Sequence, residues 1–187
     1  MEEVEKYTLL WDLPQGYGNN YNHPYWKEIV ETLRAALIDR GLQPGHEVLD
    51  IGGGDRRVED WFDNNDGVFY TSLDIAPNSG ADIIDDITQW YVDGEDCFDY
   101  AISIDVMEHI PTNLIDDALG NIRVSVRHSV AFLISTRPDR GGKKIGQTLH
   151  MTVREPDWWV RKMFKYWATV KLLRVLPGEY CLIVVSP

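Results

Sequence analysis

The chain of 187 residues carries 18 Lys and Arg against 30 Asp and Glu, a formal net charge of −12. That length suits one domain, expected to span residues 1–187, and 44% apolar with 26% charged residues excludes a disordered chain. No run of about 18 apolar residues could cross a bilayer. The acidic start MEEVEKYTLLWDLP is unlike a signal peptide, and the distant Cys97 and Cys181 support neither a disulfide framework nor a zinc ribbon. A reducing cytoplasm with no membrane attachment is the expected setting.

Residues 1–25 read as an N-terminal arm or lid, with a Gly-, Asn-, Tyr- and Pro-rich stretch from Pro14 to Tyr25. From Pro24 to Arg40, Trp26, Ile29, Val30, Leu33, Ala36 and Leu37 repeat with helical spacing, and Gly41 and Pro44-Gly45 end the helix. A short buried strand (Val48, Leu49, Ile51) then runs into Gly52-Gly53-Gly54, and Arg56–Phe62 reads as a helix start. Val68–Ile75 and Phe98–Ile104 read as strands, with a weaker extended pattern over Gly80–Ile87 ending in paired acids. A helix over about Leu114–Arg127 leads to a strand at Ser129–Ser135 and a basic, Gly-rich loop to Leu149. Pro156 opens a helix to about Trp167, and the strands Thr169–Val175 and Tyr180–Val185 flank a Pro177-Gly178 turn. Such alternation predicts an α/β, Rossmann-like three-layer sandwich. Its seven-stranded sheet is mainly parallel, with a C-terminal antiparallel hairpin.

The informative constellation is Asp50-Ile51-Gly52-Gly53-Gly54-Asp55, where a strand ends in an acid and glycines bring backbone close to a ligand. Ligands of open α/β sheets bind outside the carboxyl ends of the strands. A phosphate loop would need a following Lys, which is missing, and a dinucleotide fingerprint would need glycine where Arg57 stands. Asp50 would also sit poorly beside a pyrophosphate. A cationic ligand fits better: S-adenosylmethionine.

V-L-D-I-G-G-G-D resembles motif I of the class I (seven-stranded, Rossmann-like) S-adenosylmethionine-dependent methyltransferases, and the resemblance covers roughly residues 45–187. It implies that Asp50, Gly52, Gly53 and Gly54 form the cofactor loop. Asp74, 20 residues after Gly54, would bind the ribose hydroxyls beside Ile75. Of the adjacent Asp85 and Asp86, Asp86 is favoured for the adenine amino group, with Ile87 covering the ring. F-D-Y-A-I-S-I-D-V-M-E-H-I-P resembles the fourth-strand motif, so Asp105 either lines the pocket or caps the helix after it. Gly53 could serve the turn alone, Asp55 could cap a helix, and Ser103 fits strand core. The family usually has a further glycine where this chain has Arg56, whose side chain would have to point away.

Methyl transfer is an in-line displacement that needs positioning above all, and a base only if the acceptor must shed a proton. His150 and His109 are the candidate catalytic groups, with His23 of the arm a third; no metal is expected. The arm aromatics Tyr17, Tyr21, Tyr25 and Trp26 could close over a sulfonium, Tyr21 foremost. One of Trp158 and Trp159 at least belongs to the core. Charge divides along the chain: residues 1–110 hold 6 basic and 24 acidic side chains, residues 111–187 hold 12 and 6. Arg137, Arg140, Lys143, Lys144 and Arg154, with Arg161, Lys162 and Lys165 beyond, fit an anionic acceptor. The expected function is methyl transfer to a small phosphate- or carboxylate-bearing molecule. The alternatives are a nucleotide or single-stranded nucleic acid acceptor, which the acidic total disfavours, and an inactive cofactor-binding or regulatory protein. The sequence is silent on the oligomer.

Overall fold

The computed structural model describes residues 2–14, 23–62, 67–92 and 98–187. Helix α1 spans Glu3–Trp11 and α2 spans Pro24–Ile38. Strands follow at Glu47–Ile51 (β1), Phe69–Asp74 (β2), Ile83–Ile84 (β3) and Phe98–Ile104 (β4). Helix α3 covers Ile115–Ser125, β5 Val126–Ser135, α4 Pro156–Met163, β6 Thr169–Leu176 and β7 Tyr180–Ser186.

The strands form one sheet in the order β3-β2-β1-β4-β5-β7-β6. Pairing is parallel from β3 through β5 and antiparallel where β7 joins β5 and β6. The chain leaves β1 toward β2 on one side and returns to β4 on the other. That reversal opens a crevice at the carboxyl ends of the central strands. Both sheet faces are buried, so side chains alternate between two cores. Val130, Phe132 and Ile134 of β5 face α3 and α4, with Trp159 and Met163, while Ala131 and Leu133 face α2. Helix α2 meets that second core with Ile29, Val30, Leu33, Ala36 and Leu37. Pro24 starts it, His23 caps it by accepting the Tyr25 N–H at 3.3 Å, and Gly41 at φ +99° ends it. Ser103 is fully buried, as strand core requires.

Two expectations change. No α-helix forms over the described residues 56–62, which hold turns and a single 3-10 turn at Glu59–Trp61. Arg56 at φ +62° interrupts any right-handed helix there, and Asp55 pairs with Arg57 at 2.7 Å instead of capping one. The N-terminal segment, read as loop and arm, begins instead with the nine-residue helix α1.

Candidate active site

The glycine loop hangs from β2: the N–H groups of Gly52 and Gly53 both donate to the Leu73 carbonyl, at 2.7 and 3.2 Å. Gly52 has φ +76°, and the Val106 side chain fills the space a Cβ would take. Gly54 has φ +48°, and its missing Cβ leaves room for the Trp11 ring. Two residues later Arg56 adopts the same left-handed backbone, the conformation a glycine would take without strain. Its guanidinium is turned aside to Glu59 (2.7 and 2.9 Å) and Asp82, and stacks 5.2 Å from the Tyr70 ring. It is absent from the cleft wall.

Asp74 ends β2 and is 9% exposed. Burial raises its carboxyl, while backbone N–H groups of Ala76, Gly54 and Ile75 favour the ionised form. This side chain therefore ties the glycine loop to β2. Asp85 and Asp86 follow β3: Asp85 accepts the Asp86 N–H at 2.8 Å, and Asp86 accepts the Thr88 N–H at 2.9 Å. Ile87 is buried beside them, its carbonyl held by Asn121 at 2.9 Å. Asp105, at φ +56°, turns the chain out of β4 with its N–H on the Leu133 carbonyl at 3.1 Å.

Asp74, Ile75, Asp85, Asp86, Ile87, Asp105 and His109 share with Gly52 one cleft of about 760 Å³, the space at its mouth included. Asp50 stands elsewhere. Its carboxylate lies behind Gly53, accepts a short hydrogen bond from the Tyr70 hydroxyl, and is 2% exposed. Tyr17 and Tyr21 lie outside the described residues, while Tyr25 belongs to α2 and packs on Trp26 and Tyr180.

A further part of the wall comes from α1, through Glu3, Tyr7 and Trp11. These recur at i, i+4 and i+8, one face of a helix, a spacing legible in the sequence but overlooked there. On its other side, α1 buries Leu10 and Lys6; the Lys6 ammonium bonds Glu3 at 2.7 Å and the Thr148 carbonyl at 3.3 Å. The Asn78 amide fixes the far end, donating to Thr8 O (3.0 Å) and Asp12 (2.8 Å). Among the described residues the cleft thus has five carboxylates on its wall (Glu3, Asp74, Asp85, Asp86, Asp105), the rings of Tyr7, Trp11 and His109, and no Lys or Arg.

Beyond Asp105, the segment after β4 meets the segment after β5. His109 packs edge-on against Tyr7 (5.8 Å) and His150 (4.9 Å). Burial, with His150 adding to it, pushes His109 down to about 3, so it is neutral near pH 7. His150 donates from Nδ1 to the Arg137 carbonyl at 2.8 Å. Glu108 is fully buried, its Oε1 accepting the Ser135 N–H at 3.1 Å; burial and neighbouring Asp105 hold its carboxyl well above the usual range.

The profile of a family described as a methyltransferase domain matches residues 20–170. The chain belongs to the class I S-adenosylmethionine-dependent methyltransferases.

Solved structures agree on the fold. A protein from Pyrococcus horikoshii OT3 superposes with a TM-score of 0.69 at 15% identity, over 90% of this chain and 94% of that one. Magnesium protoporphyrin IX methyltransferase from Synechocystis PCC 6803, with bound S-adenosylhomocysteine, gives 0.63 at 16% identity, covering 97% and 93%. Phosphoethanolamine N-methyltransferase 2 of Haemonchus contortus gives 0.64 at 16%, covering 93% of this chain and 43% of that one. A comparison with curated protein sequences finds no match.

In this methyltransferase several basic side chains of the second half are engaged with acids. Arg137 and Arg140 both pair with Glu179 at 3.2 Å, and Lys162 and Lys165 with Asp116 at 2.6 and 3.8 Å. Arg154 and Lys162 stack on Trp158, whose neighbour Trp159 is fully buried core. None of these cations is on the cleft wall. Among the described residues no helix is long and apolar enough to cross a membrane.

Proposed function

We propose that this methyltransferase passes the methyl group in line from S-adenosylmethionine to a small acceptor bearing a phosphate or carboxylate. The observation that carries the cofactor half of the reading is the cleft wall, which among the described residues holds five carboxylates and no Lys or Arg, at the carboxyl ends of parallel strands. The anionic acceptor rests on the exposed basic loop outside that wall. Such a wall attracts a sulfonium and repels a pyrophosphate, and the Tyr7 and Trp11 faces add cation–π attraction. Asp74 takes the ribose hydroxyls, with Ile75 beside it. Asp86 and Ile87 take the adenine, and Gly52 and Asp105 the methionine end. Gly53 and Gly54 shape the loop, and Asp50 braces it from behind.

The transferred methyl then points toward the segments after β4 and β5, where His109 and His150 meet beside the Arg137–Leu149 loop. A lone pair of the acceptor forms the new bond to the methyl carbon as the C–S pair returns to sulfur, leaving S-adenosylhomocysteine. The loop's Lys143 and Lys144 are exposed and offer positive charge to an anionic acceptor, while Arg137 is held by Glu179. The phosphoethanolamine enzyme of Haemonchus contortus, similar in fold over 43% of its chain, is solved with phosphomonomethylethanolamine, which supports the reading.

Calorimetric titration with S-adenosylmethionine and S-adenosylhomocysteine tests the cofactor cleft, and binding at micromolar ligand is expected for both. A methyl-transfer screen of phosphorylated and carboxylated metabolites against their neutral analogues tests the acceptor class. Equal turnover of neutral and anionic members would rule out the acceptor reading.

A further inference from the structure

We propose that Glu108, His109 and His150 bind a divalent first-row transition metal ion, of the zinc, cobalt or manganese kind, at the acceptor end of the cleft. The donor atoms of these three side chains lie within 4.8 Å of one another. Two ligands each about 2.1 Å from one ion stand at most about 4.2 Å apart, so sub-ångström adjustments close the site.

Each donor is poised in a way that packing alone does not require. Glu108 is fully buried and commits Oε1 to the Ser135 N–H, and its other polar neighbour is the Asp105 carboxyl, a pairing that two acids can hold only with a shared proton or a cation. The buried Nδ1 of His109 is unpartnered. A buried polar atom left unsatisfied is destabilising, and a ligated ion removes that cost. Because His150 donates from Nδ1 to the Arg137 carbonyl, its Nε2 carries the free lone pair. Metal-bound imidazoles are commonly held in this way, the second nitrogen donating to a carbonyl.

The scaffold around the three is firm. Thr152 donates its N–H to the Glu108 carbonyl (2.9 Å) and its hydroxyl to the Ile110 carbonyl (2.7 Å). The segments after β4 and β5 are thereby laced together, with one donor pair on the first and His150 on the second.

Two imidazoles and one carboxylate suit zinc or a first-row transition ion better than magnesium or calcium, which favour all-oxygen shells. Three protein ligands leave positions open for water or an acceptor oxygen. Of the three, His109 lines the cleft, and Asp105 of the same wall stands beside Glu108, so the ion would sit against the end of the cleft. On the methyl-transfer reading proposed above, an acceptor hydroxyl bound there would release its proton to solvent near neutral pH, and the acceptor would be an oxygen nucleophile.

The test is a Co2+ titration of the full chain after chelator treatment, followed by visible d–d absorption and elemental analysis, without S-adenosylmethionine. One Co2+ per chain is expected, displaced by Zn2+. His150→Ala and Glu108→Gln should each weaken binding at least about tenfold, and a His46→Ala, His128→Ala double variant should not weaken it. Half-buried His46 and exposed His128, with ring centroids 6.1 Å apart, are a histidine pair that could capture an ion adventitiously. If Glu108→Gln fails to fold, His150→Ala, only part-buried, still decides. Absent d–d bands, substoichiometric metal, or binding that follows His46 and His128 overturns the site. Calorimetry with S-adenosylmethionine is read separately: cofactor binding without metal binding overturns this proposal alone, and the converse overturns the cleft assignment alone.

Discussion

The indole of Trp11 packs directly on the α-carbon of Gly54, so that a Cβ there would stand 2.5 Å from Trp11 Cζ2. The N-terminal helix is therefore keyed into the glycine loop, and Arg57 stacks over the same ring at 5.8 Å. Gly54→Ala should destabilise the fold by about 1–3 kcal/mol, since it combines overpacking with a φ of +48°. It should also weaken S-adenosylmethionine by at least about tenfold. Adding Trp11→Ala relieves the clash but not the backbone strain, so the double variant should recover part of the stability loss. Chemical denaturation of the two single variants and the double gives the coupling; strict additivity would mean that the two residues do not touch.

Asp74 both faces the cleft and accepts the N–H groups that fix the loop. Asp74→Asn keeps the size of the side chain but loses the charge and one acceptor. Cofactor affinity should fall by about 10-fold or more, with a loss of about 1–2 kcal/mol in stability. Calorimetry on the folded variant checks the first, and unchanged affinity would place the ribose elsewhere.

Burial pushes the Asp50 carboxyl up to about 7 from an ordinary 3.8, against the Tyr70 hydrogen bond and with a smaller push from Asp74. The folded state thus holds a proton that the unfolded chain has already released. The stability this group contributes is fully present below pH 3.8 and is lost as pH rises toward 7, by up to about 1.4 kcal/mol per pH unit. Asp50→Asn, which stays neutral, should flatten that slope. Urea unfolding of both proteins at several pH values across this window tests it; parallel profiles would mean an ordinary Asp50.

At Arg56 two effects oppose each other. A left-handed backbone costs a non-glycine residue about 1 kcal/mol, and part-exposed ion pairs to Glu59 and Asp82 return about 0–1 kcal/mol each. Arg56→Gly removes the strain along with the pairs and should change stability by less than about 1 kcal/mol. Arg56→Ala keeps the strain, loses the pairs, and should be the less stable of the two. Both should bind S-adenosylmethionine within about threefold of the parent, because the guanidinium is off the cleft wall. A tenfold loss in either would return Arg56 to the binding site.

Much of the cleft was legible because its parts are local. Each part is a strand end with its following turn, and the resemblance to the family's motifs marked Gly52, Asp74, Asp86 and Asp105, all of which line the cleft. The helix expected over 56–62 does not form because Arg56 takes a left-handed backbone, which an arginine in the sequence does not signal. The Glu3, Tyr7 and Trp11 face was overlooked because the aromatic stretch after Pro14 is the louder signal. Its i, i+4, i+8 pattern identifies a helix face but cannot say that the face closes a cleft.

By itself the sequence determined the alternation that demands a parallel sheet, the terminal hairpin, and the run of acids a sulfonium needs. Those depend on periodicity and turn chemistry, which act within about ten residues. Only the tertiary structure turned Asp50 away from the cleft, paired Arg137 and Arg140 with Glu179, and brought His150 onto Glu108 and His109. Residues 108 and 150 meet because β4 and β5 are neighbours in the sheet, and that adjacency is set by burying both sheet faces at once.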